Sequence, residues 1–473
     1  MKFFMHRKKT VYFVLVLFLM LVSTLFLEQS YQGNAKSVKV SIITQFLLFI
    51  VLFLLLGYTN KSCITLYSVF LILFYVFQNG QLLLYAFNVK ANKFVFVEKF
   101  SLDQLHKGVL FSNLCMFSAF AAAIFSFHEK KTKIIKKLDS ISPKSIYSIS
   151  FIGLALTAII AYILIGVKVV VWLRGGYSSV MQFETKVPSM IGVFEALFPA
   201  FCILSLISGV KAQLKTRYIL ALFILWGMVT AVLGDRTTGM GVIVILLLML
   251  YFGYFPIPRK IQKMIFYFGC LMVVLAIPLI FSLRNHEKFS FGSIFQVIID
   301  VVYELGFSFF PLQGIIELCP STHNYLWGKS LLSSVVTGFF PESLDVFGWC
   351  HAMRDGASLP VHWIADRYQY GFGMDCSLNA EMYANFGMWG FLAMFLVCSL
   401  ISFALKKVDH KSNQNVFSQY IGFALLFGWF TLPRRRSYYI YNKIFWYVIG
   451  VAAFIGIFYV VIKKIRGIYE RKK

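Results

Sequence analysis

Residues 11–27 read VYFVLVLFLMLVSTLFL, and they follow Lys2, Arg7, Lys8 and Lys9. This uncharged run approaches the ~20 apolar residues that a helix needs to cross a hydrocarbon core. The basic residues before it hold its first end on the cytoplasmic side. The segment after it, Glu28 to Ala35, offers only a weak small-residue cleavage pattern, so the run reads as an uncleaved signal anchor. Eleven further apolar runs lie near 40–58, 62–87, 109–127, 146–172, 190–210, 218–233, 238–255, 264–283, 382–405, 416–432 and 444–462. Lipid offers no hydrogen bonds, so each run is expected to be a helix that satisfies its own backbone.

Composition agrees. Of 473 residues, 59% are hydrophobic and 14% charged, and the mean hydropathy is +0.75. An ordinary soluble domain carries about 25% charged residues. The expected fold is an all-α polytopic membrane protein with about 12 transmembrane helices. It divides into a transmembrane bundle of about nine helices over 1–283, a large extracytoplasmic loop over 284–381, and C-terminal transmembrane helices with a basic tail over 382–473. Within the loop, the apolar stretch Phe291–Phe310 carries Asp300 and Glu304 at i, i+4, which predicts a short helix on the membrane surface. Leu331–Phe340 is a second short apolar stretch.

The net charge of +25 has a topological origin. With the N-terminus inside, alternate connections are cytoplasmic: the N-terminal tail, Lys61, 128–145, 211–217, 256–263, 406–415 and the C-terminal tail. They hold 26 of the 45 Lys and Arg residues, but only Glu129, Asp139, Asp409 and Glu470 among the acids. Short basic inner loops are what the positive-inside rule requires. Lys130, Lys131, Lys133, Lys136 and Lys137 set topology and meet anionic lipid, and nucleic acid is excluded as a partner. Both termini are expected in the cytoplasm.

Five arginines run against that rule. Arg236 sits in a tight outer hairpin, Gly234-Asp235-Arg236-Thr237-Thr238-Gly239; Arg284 ends the run 264–283; Arg434, Arg435 and Arg436 follow the run 416–432. Guanidinium binds phosphate through a rigid bidentate fork, so a polyanionic ligand at headgroup depth explains them. Snorkelling toward lipid headgroups is the alternative.

Glu381 opens an apolar helix in Ser377-Leu378-Asn379-Ala380-Glu381-Met382-Tyr383-Ala384-Asn385-Phe386-Gly387-Met388-Trp389-Gly390. The helix dipole alone favours a carboxylate there. Facing a cavity, it would instead serve as a general base for a sugar hydroxyl, with Tyr383 and Asn385 as hydroxyl-binding groups. Gly387 and Gly390 suit close helix packing. His323 and His351 are further candidate bases, and Asp366-Arg367 beside His362 is a candidate polar cluster, with Arg367 a candidate substrate ligand. The aromatic residues around them are equally suited to a membrane interface.

The eight cysteines show no CxxC and no zinc-type spacing. Cys319, Cys350 and Cys376 fall in the 284–381 loop, where such a trio leaves room for one disulfide. The chain has no P-loop, dinucleotide fingerprint, GxSxG or metal motif. That argues against a nucleotide-driven pump and against a transferase using cytosolic sugar nucleotides.

The pattern Ser377-Leu378-x-x-Glu381-x-Tyr383-x-Asn385-Phe386-Gly387-x-x-Gly390 resembles the helix start after the large loop of Wzy-type O-antigen and capsule polymerases. Tyr325-Leu326-x-Gly328-Lys329-Ser330-Leu331 through Phe339-Phe340-Pro341 resembles the middle of that loop. Gly234-Asp235-Arg236 and Leu283-Arg284 resemble the family's outer arginines. The resemblance is strongest over residues 220–400 and rests on hydropathy alone in the N-terminal third. It implies a glycosyltransferase in the cytoplasmic (inner) membrane that joins undecaprenyl-pyrophosphate-linked oligosaccharide repeat units at the outer face. It implies no nucleotide sugar, no cofactor and no obligatory metal, with membrane lipid, a flippase and a chain-length regulator as partners. An O-antigen ligase-like enzyme shares this architecture and its outer arginines. A polysaccharide flippase would need cations deep in the bundle, where Lys168 and Glu195 are the main ionisable residues near span interiors.

Overall fold

The computed structural model describes residues 2–60, 62–89, 99–123, 141–184, 187–233, 235–255, 257–285, 294–340, 345, 348–369, 375–406 and 416–471. These form helices throughout, with no strand among the described residues. In chain order they are α1 Lys2–Ser30, α2 Ala35–Asn60, α3 Leu66–Ala86, α4 Leu102–Ala122, α5 Pro143–Glu184, α6 Ser189–Lys211, α7 Arg217–Val232, α8 Arg236–Tyr251 and α9 Arg259–Asn285. Then come α10 Ile294–Leu305, α11 Phe309–Leu318, α12 Lys329–Phe339, α13 His351–Tyr368, α14 Leu378–Phe386, α15 Gly390–Lys406, α16 Val416–Trp429 and α17 Tyr438–Lys443. A π-helical stretch, Ile444–Gly450, joins α17 to α18, Val451–Arg471.

Among the described residues, 8 helical segments are long and apolar enough to cross a membrane. They are Lys9–Ser30, Ala35–Asn60, Leu66–Ala86, Pro143–Gly176, Met190–Lys211, Leu378–Leu405, Val416–Arg434 and Tyr438–Ile465. Arg217–Val232 and Thr238–Tyr251 are shorter apolar helices. α4 differs because its surroundings, not lipid, satisfy its polar side chains. His106 Nε2 meets Glu28 Oε2 at 3.0 Å, Ser112 donates to Asn79 at 2.9 Å and Ser118 donates to the Phe391 carbonyl at 2.8 Å. α4 packs against α1, α2 and α15 as a central helix of the bundle. The basic run Lys130–Lys137 lies outside the described residues.

The segment expected as a surface helix runs instead against the bundle. α10 packs on α3, where Gly80 and Gly306 meet backbone to backbone. A Cβ on Gly306 would strike the Gln81 amide and the Gly80 backbone. Gln81 Nε2 donates to the Tyr303 carbonyl at 3.1 Å across the same contact. The missing Cβ atoms let a short helix reach the backbone of a spanning helix, as small residues do in membrane packing. α11 goes further, with Phe309 to Ile316 all buried against α3, α4 and α14. α12 and α13 keep substantial exposed faces.

Candidate functional site

The two long stretches that carry the resemblance fold into one unit. Ser377 caps α14, its Oγ accepting from the Ala380 amide at 3.3 Å. At the other end of α14, the amides of Leu326 and Trp327 donate to the carbonyls of Ala384 and Asn385 at 3.0 Å each. Asn385 Oδ1 accepts from the Gly328 amide at 3.0 Å, and its Nδ2 donates to Ser330 Oγ at 2.7 Å. Gly387 turns the chain with φ +57°, where a Cβ would press on Tyr325. A Cβ on Gly390 would strike the Met382 carbonyl. Tyr383 is buried edge-on against Phe111 and Tyr325.

Glu381 belongs to this unit and does not face a cavity. Its side chain is 0% exposed. Oε2 accepts from the Ser437 amide at 2.6 Å, and Oε1 accepts from the hydroxyls of Ser437, Ser330 and Ser334 at 3.0, 3.3 and 3.4 Å. A carboxylate enclosed in this way is held by its partners and is closed to a substrate hydroxyl. Asn385 and Tyr383 are likewise enclosed, so the expected sugar contacts give way to packing contacts.

The other expected residues lie apart. His323 stacks on Trp363 with centroids 4.3 Å apart. His351 is exposed at the first turn of α13. Arg367 donates twice to Glu317 Oε1, at 2.7 and 3.0 Å, and Tyr368 donates to Glu317 Oε2 at 2.6 Å. Burial works to raise the Glu317 carboxyl, but the hydrogen bonds from Tyr368 and Arg367 outweigh it and hold it below the ordinary carboxylate range. Cys319, Cys350 and Cys376 are all free thiols.

The chemistry converges elsewhere. A cavity of about 380 Å³ opens among α5, α6, α7, α8, α16 and α17, within the usual size of a ligand site. Six of its lining residues are charged: Lys168, Glu184, Glu195, Asp235, Arg435 and Lys443. They come from the late part of α5, the early part of α6, the N-terminal cap of α8, and the segment around α17. Alternation of the spans puts all of these helix ends on one side of the bundle.

Arg435 and Lys443 form the cationic end of this cavity. Tyr439 and Tyr447 also line it; Arg435 stands in extended backbone before α17, Tyr439 and Lys443 lie on α17, and Tyr447 lies in the π-helical stretch. Arg435 Nη1 lies 3.3 Å from Asp375 and 3.3 Å from the Tyr439 hydroxyl. Its neighbour Arg436 is fully engaged, donating to Asp375 at 3.0 Å and to the Ala357 carbonyl and Ser358 hydroxyl at 2.8 Å. Lys443 Nζ sits 4.9 Å from the centre of the Tyr447 ring and has no ion-pair partner among the described residues. Lys168, which lines the same cavity, bridges Glu184 at 2.9 Å and Glu195 at 2.8 Å through its Nζ.

Among the outer arginines, Arg435 thus lines the cavity, and Arg236 starts α8 directly after the lining residue Asp235. Asp235 Oδ1 accepts from the Thr238 amide at 3.1 Å, which fixes this helix start. α8 and α9 pack as antiparallel neighbours, so Arg284 lies at the same end as Arg236. The side chains of Arg236 and Arg284 lie outside the described residues. Arg434 ends the short 3₁₀ turn Leu432–Arg434 and does not line the cavity.

Tyr439 and Lys443 stand just before the apolar run at 444–462, so hydropathy alone does not mark them, although Tyr439, Lys443 and Tyr447 follow one another at intervals of four. That spacing was the available signal. Among the described residues no cluster of His, Cys, Asp and Glu suits a metal ion.

The family model described as "O-antigen polysaccharide polymerase Wzy" matches residues 10–466, nearly the whole chain. No curated protein and no solved structure matches it. A helical membrane bundle, the unit formed by the two motif stretches and this family match lead to one conclusion: the chain belongs to the O-antigen polysaccharide polymerase Wzy family, multi-pass membrane polymerases of the glycosyltransferase type.

Proposed function

We propose that this protein joins undecaprenyl-pyrophosphate-linked oligosaccharide repeat units into polysaccharide at the outer face of the cytoplasmic membrane. The observation that carries the proposal is the pairing of Arg435 and Lys443 in one cavity at a single end of the bundle. Under the positive-inside topology that end is the outer one. The donor pyrophosphate would rest against Arg435 and Lys443, with Arg236 and Arg284 at the same end. As the glycosidic carbon–oxygen bond breaks, negative charge grows on the leaving pyrophosphate. Fixed cations in a poorly hydrated cavity stabilise that charge more in the transition state than in the ground state. Glu381, Tyr383 and Asn385 act on this site indirectly, by fixing the backbone at Ser437 and hence the segment carrying Arg435.

The test is glycan analysis in a deletion strain complemented with Lys443→Met or Arg435→Gln. Each variant is expected to accumulate single lipid-linked repeat units at normal protein abundance, with chain growth reduced about 100-fold or more. Wild-type chain lengths in both variants would refute the pyrophosphate site. Long lipid-linked chains left untransferred in the deletion strain would identify a ligase instead. Single units trapped in the cytoplasm would identify a flippase.

A further inference from the structure

The polymerisation chemistry needs a group that takes the acceptor hydroxyl's proton, and most described carboxylates are already committed. Glu381 is enclosed by serines, Asp375 is held by Arg435 and Arg436, and Glu317 is held by Arg367 and Tyr368. Asp345 pairs with Arg354, and Glu28 pairs with His106. Asp235 caps α8. Asp103, Glu304, Asp355 and Asp366 do not line the cavity, whereas Glu184 and Glu195 do.

These two share a single cation. Lys168 serves both carboxylates at once, so neither has a cation of its own within this trio. Glu195 stands on the uninterrupted start of α6 and is 20% exposed. Glu184 is 37% exposed and ends α5 beyond its break at Gly176, where φ is +68°. Glu195 Oε1 accepts from Lys168, while Oε2 has no partner among the described residues. Trp226 lines the same cavity, and its buried indole N–H has no hydrogen-bond partner. A buried donor left unpaired points to a bound polar group that would complete it.

We propose that Glu195 is the general base of polymerisation, with Lys168 and Glu184 as its positioning pair; this rests on the polymerase function proposed above. The acceptor sugar hydroxyl gives its proton to Glu195 as its oxygen bonds to the donor's anomeric carbon. The bond from that carbon to the pyrophosphate oxygen breaks, and its electron pair leaves with the pyrophosphate toward Arg435 and Lys443. Glu184 then remains as the counter-charge of Lys168, so the protonated Glu195 strands no cation. The proton later passes to solvent. The cavity thus holds carboxylates for the acceptor and cations for the leaving group.

Glu184 and Lys168 from α5 flank Glu195, and Asp235, Arg435, Tyr439, Lys443 and Tyr447 line the same cavity. The test uses the full chain in lipid nanodiscs with lipid-linked repeat units, following elongation rate. Glu195→Gln is expected to lower turnover about 100-fold or more at an unchanged donor KM. Glu195→Asp is expected to recover part of the rate. Lys168→Met is expected to lower turnover at an unchanged donor KM and an unchanged melting temperature, which a purely structural role for the pair would not do.

Glu195→Gln turning over at the wild-type rate would overturn the proposal. So would a loss confined to Glu184→Gln. Either result, alongside inactive Lys443→Met, leaves the polymerase function standing. Full activity in Lys443→Met and Arg435→Gln would instead remove the pyrophosphate site itself, whatever Glu195 does.

Discussion

Glu381 and Ser437 are joined twice, through the Ser437 amide at 2.6 Å and its hydroxyl at 3.0 Å. This link crosses 56 residues of sequence and fastens α14 to the turn between α16 and α17. Arg435 and Arg436 lie just before the turn's anchor, and both reach back to Asp375, just before α14. Two adjacent ties therefore set where Arg435 stands relative to the cavity.

Replacing Glu381 with Ala leaves the Ser437 amide and three serine hydroxyls without their shared acceptor. Hydrogen bonds to a charged group contribute about 1.5–3 kcal/mol each, so a loss of about 3 kcal/mol or more is expected. The Glu381→Ala protein should melt at a lower temperature in detergent and be present at reduced abundance. A variant that melts like the wild type yet makes no chains would return Glu381 to a chemical role.

Gly387→Ala should also destabilise. Its backbone, at φ +57° and ψ −137°, is one that side chains avoid, and the added methyl meets Tyr325. Backbone strain of this kind costs about 1–3 kcal/mol. Thermal melting measures the loss directly; an unchanged melting temperature would mean that the turn relaxes freely.

Acid should loosen the tie between α11 and α13. The Glu317 carboxyl is held below its ordinary value by Tyr368 and Arg367, against the raising effect of burial. Its contribution is therefore complete above the ordinary carboxylate range and is lost as pH falls through the lowered folded-state value. Melting temperature measured against pH should drop in that acid window for the wild type. Glu317→Gln should show a lower neutral-pH stability and a weaker drop in that window.

Thiol labelling should separate the three cysteines between residues 284 and 381. Burial pushes the Cys319 thiol up to about 11, and burial with the nearby Glu381 and Asp375 charges pushes Cys376 well above its usual value. Thiolate is the reactive form, so both should resist alkylation of the folded protein at neutral pH. Cys350 is only half-buried and should label first. Faster labelling of Cys376 than of Cys350 would contradict this packing.

The apolar runs were legible because hydropathy is a local property, and each described run became a helix. The count of spans was less legible. α4 keeps His106 and Asn113 because neighbouring helices, not lipid, surround them, while Asp103 and Lys107 are exposed near its start. α10 packs on α3, a contact that its own sequence does not record. An amphipathic pattern shows that a face is buried, but not whether lipid or another helix covers it. The stretch around Glu381 stands out in the sequence, and the structure shows how its side chains are held. Its Glu, Asn and Gly residues are needed for a cap, a strap and a turn.

By itself, the sequence determined an α-helical membrane protein and the segments that carry its family's marks. Those properties depend on composition within ~20 residues. Only the tertiary structure decided which charged groups share a cavity. Lys168, Glu195, Asp235 and the segment carrying Arg435 and Lys443 come from separate parts of the chain, and no local pattern records their approach to one another. It also decided which carboxylates were already satisfied, because Glu381 and Asp375 find their partners about sixty residues away, in the packing and not in the chain.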